Sequence, residues 1–161
     1  MLELVQLGAG DRVIDLGCAF ARVAFVMALH FRKSEFLGFE ICADRVREAR
    51  RVWQEFTKCL PADNDVFERA SSLNIVEQDL ASEGWILPSA TVYFIYDFGS
   101  EIDVRRVLEK LRLAAGNPGA EGDFLVISRG RRVHQLIYQS HAWLGENVVH
   151  RNLHFTIFRS R

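Results

Sequence analysis

The sequence has few of the residues that mark specialised protein classes. It contains 3 Cys, 3 Pro and 11 Gly in 161 residues, which excludes a disulfide framework, a collagen-like repeat and a low-complexity chain. The cysteines are odd in number and isolated, so we expect reduced thiols and a cytoplasmic location. There is no run of about 18 apolar residues and no charged leader at the start. We therefore expect neither a membrane span nor a signal peptide.

The sequence also lacks an excess of charge of either sign. Its 20 Lys and Arg residues and 21 Asp and Glu residues give a formal net charge of −1, so no overall basic field attracts nucleic acid or a membrane surface. Of the residues, 49% are hydrophobic and 25% are charged, as in ordinary globular proteins. The length indicates a single domain over residues 1–161.

Apolar residues alternate along the chain between strand spacing and helix spacing. Strands are predicted at Arg12–Gly17, Glu35–Ile41, Leu73–Leu80, Thr91–Phe98, Phe124–Ser128, Asn147–His150 and His154–Arg159. Helices are predicted at Phe20–Phe31 (buried), Ala43–Phe56, Glu101–Leu113 and Val133–Trp143, with a polar connection at Pro61–Ser72 and a turn at Asn117. This order predicts an α/β fold with a doubly wound, mostly parallel sheet. The last two strands leave no room for a crossover helix, so they form an antiparallel hairpin.

The first strand-to-helix turn, Asp15-Leu-Gly17-Cys-Ala-Phe-Ala21-Arg22, is the first candidate for a ligand site, because such folds bind ligands at the carboxyl ends of their strands. A dinucleotide site would place a third glycine where this chain has Arg22. The carboxylate of Asp15 would repel a diphosphate, but it would hold an ammonium group. The alternative is that Asp15 caps the following helix.

Two further acids end the second and third predicted strands. Glu40 follows Asp15 by 25 residues, at a position where an acid accepts the hydroxyls of a ribose; otherwise it is a surface carboxylate paired with Arg45. Asp79 would accept the exocyclic amine of an adenine, or it would cap a short helix at Leu80–Gly84. Three acids at successive strand ends favour a nucleoside ligand with an amino-acid end.

Four motifs in register resemble the class I S-adenosylmethionine-dependent methyltransferases: Asp15-Leu-Gly17, Phe39-Glu40, Gln78-Asp79 and Tyr96-Asp97-Phe98. The resemblance covers Leu4 to Arg159 and implies a Rossmann-like seven-stranded sheet with an antiparallel C-terminal hairpin. Within the class, Phe36–Glu40, Ile75–Asp79 and Phe98–Asp103 resemble non-SET histone-lysine methyltransferases of the disruptor-of-telomeric-silencing type. The opening segment, Gly10–Cys18, resembles the small prokaryotic protein-lysine methyltransferases.

The resemblance implies S-adenosyl-L-methionine as cofactor and assigns a role to each matching residue. Asp15, Gly17, Cys18 and Ala19 would surround its methionine end, Glu40 would bind its ribose, and Asp79 and Leu80 would hold its adenine. The adjacent Ile41 is also expected to bind the cofactor. Tyr96, Asp97 and Phe98 would line the site of methyl transfer, with Asp97 attracting a protonated amine. Tyr96 and Phe98 would offer cation–π faces, or they would pack in the core.

This chain departs from the family at Ala19 and Ala21, where the family has glycine, and at Tyr96-Asp97, where the lysine-directed members have Asn-Asn. Alanine resists positive φ angles, so we expect a loop that approaches the cofactor less closely. The chain begins almost at the first strand, so we also expect little of the family's leading substrate-gating segment.

The last part of the chain, Arg129–Arg161, is basic and histidine-rich, with Glu146 as its one acid. It would bind an acidic partner such as nucleic acid, or it is a solvated helix and edge hairpin, which we favour because exposed aromatics are not interleaved with the charges. His150 and His154 lack the companions of a metal site, so no metal is expected.

The sequence thus predicts an S-adenosylmethionine-dependent methyltransferase that acts on lysine side chains of a protein. The alternatives are a non-catalytic binding module or subunit for the same cofactor, and a small-molecule or RNA methyltransferase. A protein substrate is the favoured partner, nucleic acid is less favoured, and no membrane is expected. The sequence leaves the oligomeric state open.

Overall fold

The computed structural model describes residues 5–30, 34–59, 73–116 and 123–160. The strands are β1 (Arg12–Leu16), β2 (Glu35–Glu40), β3 (Leu73–Glu77), β4 (Val92–Tyr96), β5 (Leu125–Arg129), β6 (Val148–Arg151) and β7 (Thr156–Arg159). The helices are α1 (Arg22–His30), α2 (Ala43–Lys58), α3 (Glu101–Gly116), α4 (Arg131–Ser140) and α5 (Ala142–Gly145). The strand order β3-β2-β1-β4-β5-β7-β6 confirms the predicted α/β, Rossmann-like, seven-stranded sheet.

The chain divides into two compact units, Met1–Asp79 and Leu80–Arg161; the expectation of one domain stays a prediction. In the first unit β1, β2 and β3 are parallel, with Ile14 opposite Leu37 and Leu37 opposite Asn74. The middle of β1 is buried, as expected for a parallel strand covered on both faces. The helices α1 and α2 meet through an aromatic cluster in which Phe25 lies edge-on to Trp53.

In the second unit β5 pairs with β4 in parallel and with β7 antiparallel, and β6 pairs antiparallel with β7 at the sheet edge. The side-chain oxygen of Asn152 accepts hydrogen bonds from the amides of His154 and Phe155. This Asx turn closes the hairpin and confirms the antiparallel C-terminal pair. The Tyr93 ring is buried, and its hydroxyl donates to the Pro88 carbonyl at 2.7 Å.

Two helices differ from the sequence prediction. The first begins at Arg22 rather than Phe20, and Val26 and Leu29 are 45% and 47% exposed, so it is not wholly buried. The helix predicted at Val133–Trp143 is interrupted at His141, where the backbone leaves helical geometry between α4 and α5.

The segments Pro61–Ser72 and Asn117–Gly119 lie outside the described residues. Among the residues that are described, no helix has the length and apolarity needed to cross a membrane.

Candidate active site at the ends of β1 and β2

The carboxyl ends of β1 and β2 lie side by side, which brings the first turn against Glu40. Asp15 is opposite Gly38 and Leu16 is opposite Phe39 in the parallel register. Beyond the last pair, the amides of Gly17 and Cys18 both donate to the Phe39 carbonyl, at 3.0 and 2.8 Å. These two bonds fix the start of the turn on β2.

Gly17, Ala19 and Ala21 all adopt the left-handed conformation, with φ of 84°, 49° and 54°. The two alanines therefore adopt a conformation that a side chain disfavours, at a cost of about 1–2 kcal/mol each. The expectation that this loop approaches the cofactor less closely stays a prediction. Each alanine does add a methyl group to the loop.

Glu40 is 4% exposed and holds the turn through both carboxylate oxygens. Oε2 accepts the Ala19 amide and Oε1 accepts the Cys42 amide, each at 3.0 Å. The Arg45 guanidinium lies 3.6 Å from Oε1, so the anticipated pairing is present although Glu40 is buried rather than on the surface. A carboxylate has about four acceptor positions, so Glu40 retains capacity for two donors from a ligand.

Asp15 is 3% exposed, and within the described part of the chain no hydrogen bond reaches its carboxyl group. It does not cap α1, so the capping alternative is not observed. Burial, reinforced by the negative charge of Glu40, raises the pKa of Asp15 to about 8. A cation bound beside Asp15 would be strongly stabilised. Its charge would offset the desolvation cost of the ionised Asp15 carboxylate and the repulsion between Asp15 and Glu40.

Cys18 is 6% exposed, and its sulfur lies over Gly38. A Cβ on Gly38 would lie 2.8 Å from Cys18 Sγ, so only glycine admits the cysteine at this point of β2. Burial, with the nearby Asp15 and Glu40, raises the pKa of the Cys18 thiol well above its usual range, which suits packing and not nucleophilic chemistry. Sequence reasoning gave Gly38 no role of its own, although a glycine inside a strand signals a close approach.

The ends of β2 and β3 are tied together, because the Gln78 amide donates to the Glu40 carbonyl at 2.9 Å. Asp79 follows at the exposed end of this unit. The adjacent Ile41 is 66% exposed, which is unusual for an isoleucine beside a buried acid. Leu80, the first residue of the second unit, is buried. Residues 80–84 form turns instead of a helix, so Asp79 has no helix to cap there.

In the second unit, Tyr96 ends β4 with 49% of its surface exposed, so it does not pack in the core. The Arg129 guanidinium lies over its ring at 5.5 Å. Asp97 accepts the amides of Arg132 (3.3 Å) and Val133 (2.9 Å) in the first turn of α4. Its carboxylate therefore caps the N-terminus of α4.

Phe98, the third residue predicted to line the methyl-transfer site, is half-buried. In the described ranges no three His, Cys, Asp or Glu residues are grouped as a metal would require.

No protein-family profile matches the sequence, and no curated protein matches it either. The fold is similar to that of an RNA methyltransferase from Salinibacter ruber crystallised with S-adenosyl-L-homocysteine, with a TM-score of 0.63, 19% identity, and coverage of 98% of this chain and 84% of that one. It is also similar to an S-adenosylmethionine-dependent methyltransferase from Methanosarcina mazei (TM-score 0.57, 12% identity, coverage 79% and 55%).

A [4+2]-cyclase, SpnF, has a comparable likeness (TM-score 0.54, 13% identity, coverage 77% and 40%). At these identities the likeness concerns the fold. This chain has the fold of class I S-adenosylmethionine-dependent methyltransferases.

Proposed function

We propose that the protein is an S-adenosylmethionine-dependent methyltransferase. The observation that carries the proposal is the pair of buried acids at the carboxyl ends of β1 and β2. Asp15 has no hydrogen-bond partner among the described residues, and Glu40 keeps two acceptor positions. The fold likeness supports the same function, since methyltransferases are among the neighbours.

The residues of the first unit match the chemical groups of this cofactor. The Asp15 carboxyl would ionise to hold its ammonium group, and Glu40 would accept its two ribose hydroxyls. The exposed Ile41 offers an apolar face for the adenine ring, and Asp79 an acceptor for the exocyclic amine. The turn formed by Gly17, Cys18 and Ala19 would surround the methionine end, and the resemblance assigns Leu80 to the adenine.

The bound cofactor would supply a methyl group activated by a sulfonium, so the protein need only hold the acceptor in line and exclude water. Tyr96, Asp97 and Phe98 remain the proposed acceptor residues. The exposed ring of Tyr96 suits the ammonium form of an amine during binding, and this ammonium would lose a proton to solvent before its nitrogen accepts the methyl group. Asp97 accepts one α4 amide on each oxygen and, by the same count as Glu40, keeps two acceptor positions for a protonated amine.

A non-catalytic binding module for the same cofactor is the second candidate. The observation that favours it is the pair of methyl groups that Ala19 and Ala21 add to the first turn, where the methyltransferases that the sequence resembles have glycine. The two candidates share the cofactor site and differ in turnover.

Calorimetric titration with S-adenosyl-L-homocysteine tests the cofactor site. We expect Glu40→Gln to weaken binding at least tenfold, since hydrogen bonds to a charged group contribute about 1.5–3 kcal/mol. Glu55→Gln, an exposed α2 residue paired with Lys58, is the matched control and should bind as the wild type does. No binding by the wild type, or equal binding by Glu40→Gln, contradicts the proposal.

Turnover is tested by incubating the protein with cell lysate and cofactor bearing a tritiated methyl group, followed by separation of protein, RNA and small molecules. Label in protein that survives nuclease treatment supports a protein acceptor. Label confined to RNA excludes lysine as the acceptor. Cofactor binding without any label identifies the binding module.

A further inference from the structure

The second unit carries two exposed tyrosines, each covered by an arginine. Tyr96 is 49% exposed beneath Arg129, whose guanidinium is 5.5 Å from the ring centre. Tyr138 is 41% exposed beneath Arg151 at 4.8 Å. Along the sequence, exposed aromatics are not interleaved with the basic residues of this region. The fold nevertheless places two tyrosines against arginines, because each pair joins residues that are distant in sequence.

Helix α4 connects the two pairs. Arg131, Gln135 and Tyr138 follow one another at helical spacing on one side of it, and all three are exposed. The opposite side, Val133, Leu136 and Ile137, is buried. Arg131 and Tyr138 are seven positions apart on the helix, about 10 Å along its axis. We call the surface formed by these exposed groups the α4 face; its members are Tyr96, Arg129, Arg131, Gln135, Tyr138 and Arg151.

The α4 face has a net positive charge, because α4 contains no acid and the three arginines of the face outnumber Asp97, the acid that lies at the start of α4. Asp97 accepts the first amides of α4. Glu101 pairs with Arg105 at 2.8 Å. Asp103 accepts the Ser100 amide and hydroxyl. The three arginines of the face are exposed, and none of them is within salt-bridge distance of an acid in the described part of the chain. Their charge is therefore available to a partner.

We infer that the α4 face binds single-stranded nucleic acid. Arginines attract the phosphates, and the planar faces of tyrosine and guanidinium stack on bases that are not hidden in a duplex. Gln135 adds an amide that both donates and accepts. An acidic peptide would use the same arginines but has no base to stack on the rings. The inference uses none of the proposed cofactor-binding residues, although Tyr96 is also one of the proposed acceptor residues.

Fluorescence anisotropy with a labelled 20-nucleotide single-stranded RNA of mixed sequence tests the inference. Binding should weaken steeply as KCl rises from 50 to 200 mM, since phosphate contacts release counterions. Tyr96→Leu and Tyr138→Leu should each weaken binding about fivefold or more, from the loss of base stacking. Arg131→Gln, at an exposed position, should reduce the slope of log Kd against log salt by about 1.

The control is Arg112→Gln, an exposed α3 arginine paired with Glu109, which should bind as the wild type does. A circular dichroism melt confirms that each variant is folded. Absence of salt-sensitive binding, unchanged binding by both tyrosine variants, or tighter binding of the same RNA as a duplex would overturn the inference. Equal binding of polyglutamate, insensitive to the tyrosine variants, would identify an acidic protein as the partner and also overturn it.

Discussion

Asp15 is the residue on which the account depends most, since burial keeps its carboxyl neutral in the folded chain. Its pKa is about 8 in the folded chain against an ordinary value of 3.8, so between these pH values the folded state binds a proton that the unfolded chain does not. The contribution of Asp15 to stability is therefore complete below about pH 4 and is lost as the pH rises through about 8.

Asp15→Asn should remove that loss. We expect the variant and the wild type to unfold with similar free energies near pH 4, and the variant to be more stable by about 2–4 kcal/mol at pH 7. Urea denaturation at a series of pH values, without cofactor, measures the difference. A difference that does not change between pH 4 and 8 would show that the Asp15 carboxyl titrates as an ordinary exposed acid.

Ala19 provides a second test at the residue scale. Because its φ is 49°, Ala19→Gly relieves strain, and this offsets the entropy that glycine adds to the unfolded chain. We expect the variant to be as stable as the wild type or up to about 1 kcal/mol more stable. The control, Ala114→Gly inside α3, should lose about 0.5–1 kcal/mol. Thermal melts compare them, and a loss at Ala19 as large as at Ala114 would contradict the left-handed turn.

Among the elements, α4 depends on a residue outside it. Gly130 precedes the helix with φ 106°, and a Cβ there would collide with the Asp97 carboxylate. Asp97 therefore replaces the side-chain cap that glycine cannot supply. Asp97→Ala should cost about 1–2 kcal/mol and Gly130→Ala more, whereas exposed Asp44→Ala should cost less than 0.5. Urea denaturation checks the ranking, and an Asp97→Ala cost equal to that of Asp44→Ala would contradict the cap.

The junction of α4 and α5 gives a pH-sensitive element. His141 is 6% exposed, and its Nδ1 accepts the Trp143 indole N–H at 3.3 Å. Burial lowers the pKa of His141 below 6.5, so the unfolded chain binds this proton first and stability falls as the pH drops below 6.5. His141→Asn keeps an acceptor but does not titrate, and it should flatten this fall.

Melts between pH 5 and 7 measure the effect, with His154→Asn, an exposed histidine, as control. A fall that is as steep in His141→Asn as in the wild type would show that another group causes it.

The sequence predicted those features of the fold and the site that follow from one pattern of residue spacing. Parallel strands end at one sheet edge, so the neighbouring positions of Asp15 and Glu40 followed from the spacing alone. The conformation of Ala19 and Ala21 did not, because alanine by itself disfavours positive φ and only the hydrogen bonds around the turn impose it. The break at His141 has no Gly or Pro to mark it. The pairing of Tyr96 with Arg129 depends on a strand register between residues 33 positions apart.

At the scale of the whole molecule, the fold and the first unit are consistent with one cofactor, and binding should couple to protonation. The ammonium of S-adenosyl-L-homocysteine would favour the ionised form of Asp15, which releases its proton. Affinity should then rise with pH by up to tenfold per unit until about pH 8, where the ligand's own amino group begins to lose its proton.

Calorimetric titration of S-adenosyl-L-homocysteine at pH 7, in two buffers of different ionisation enthalpy, tests this account most directly. We expect the wild type to bind with release of close to one proton per site, and Asp15→Asn to bind with little proton release. Absence of binding, or binding by the wild type with no proton released, would contradict it.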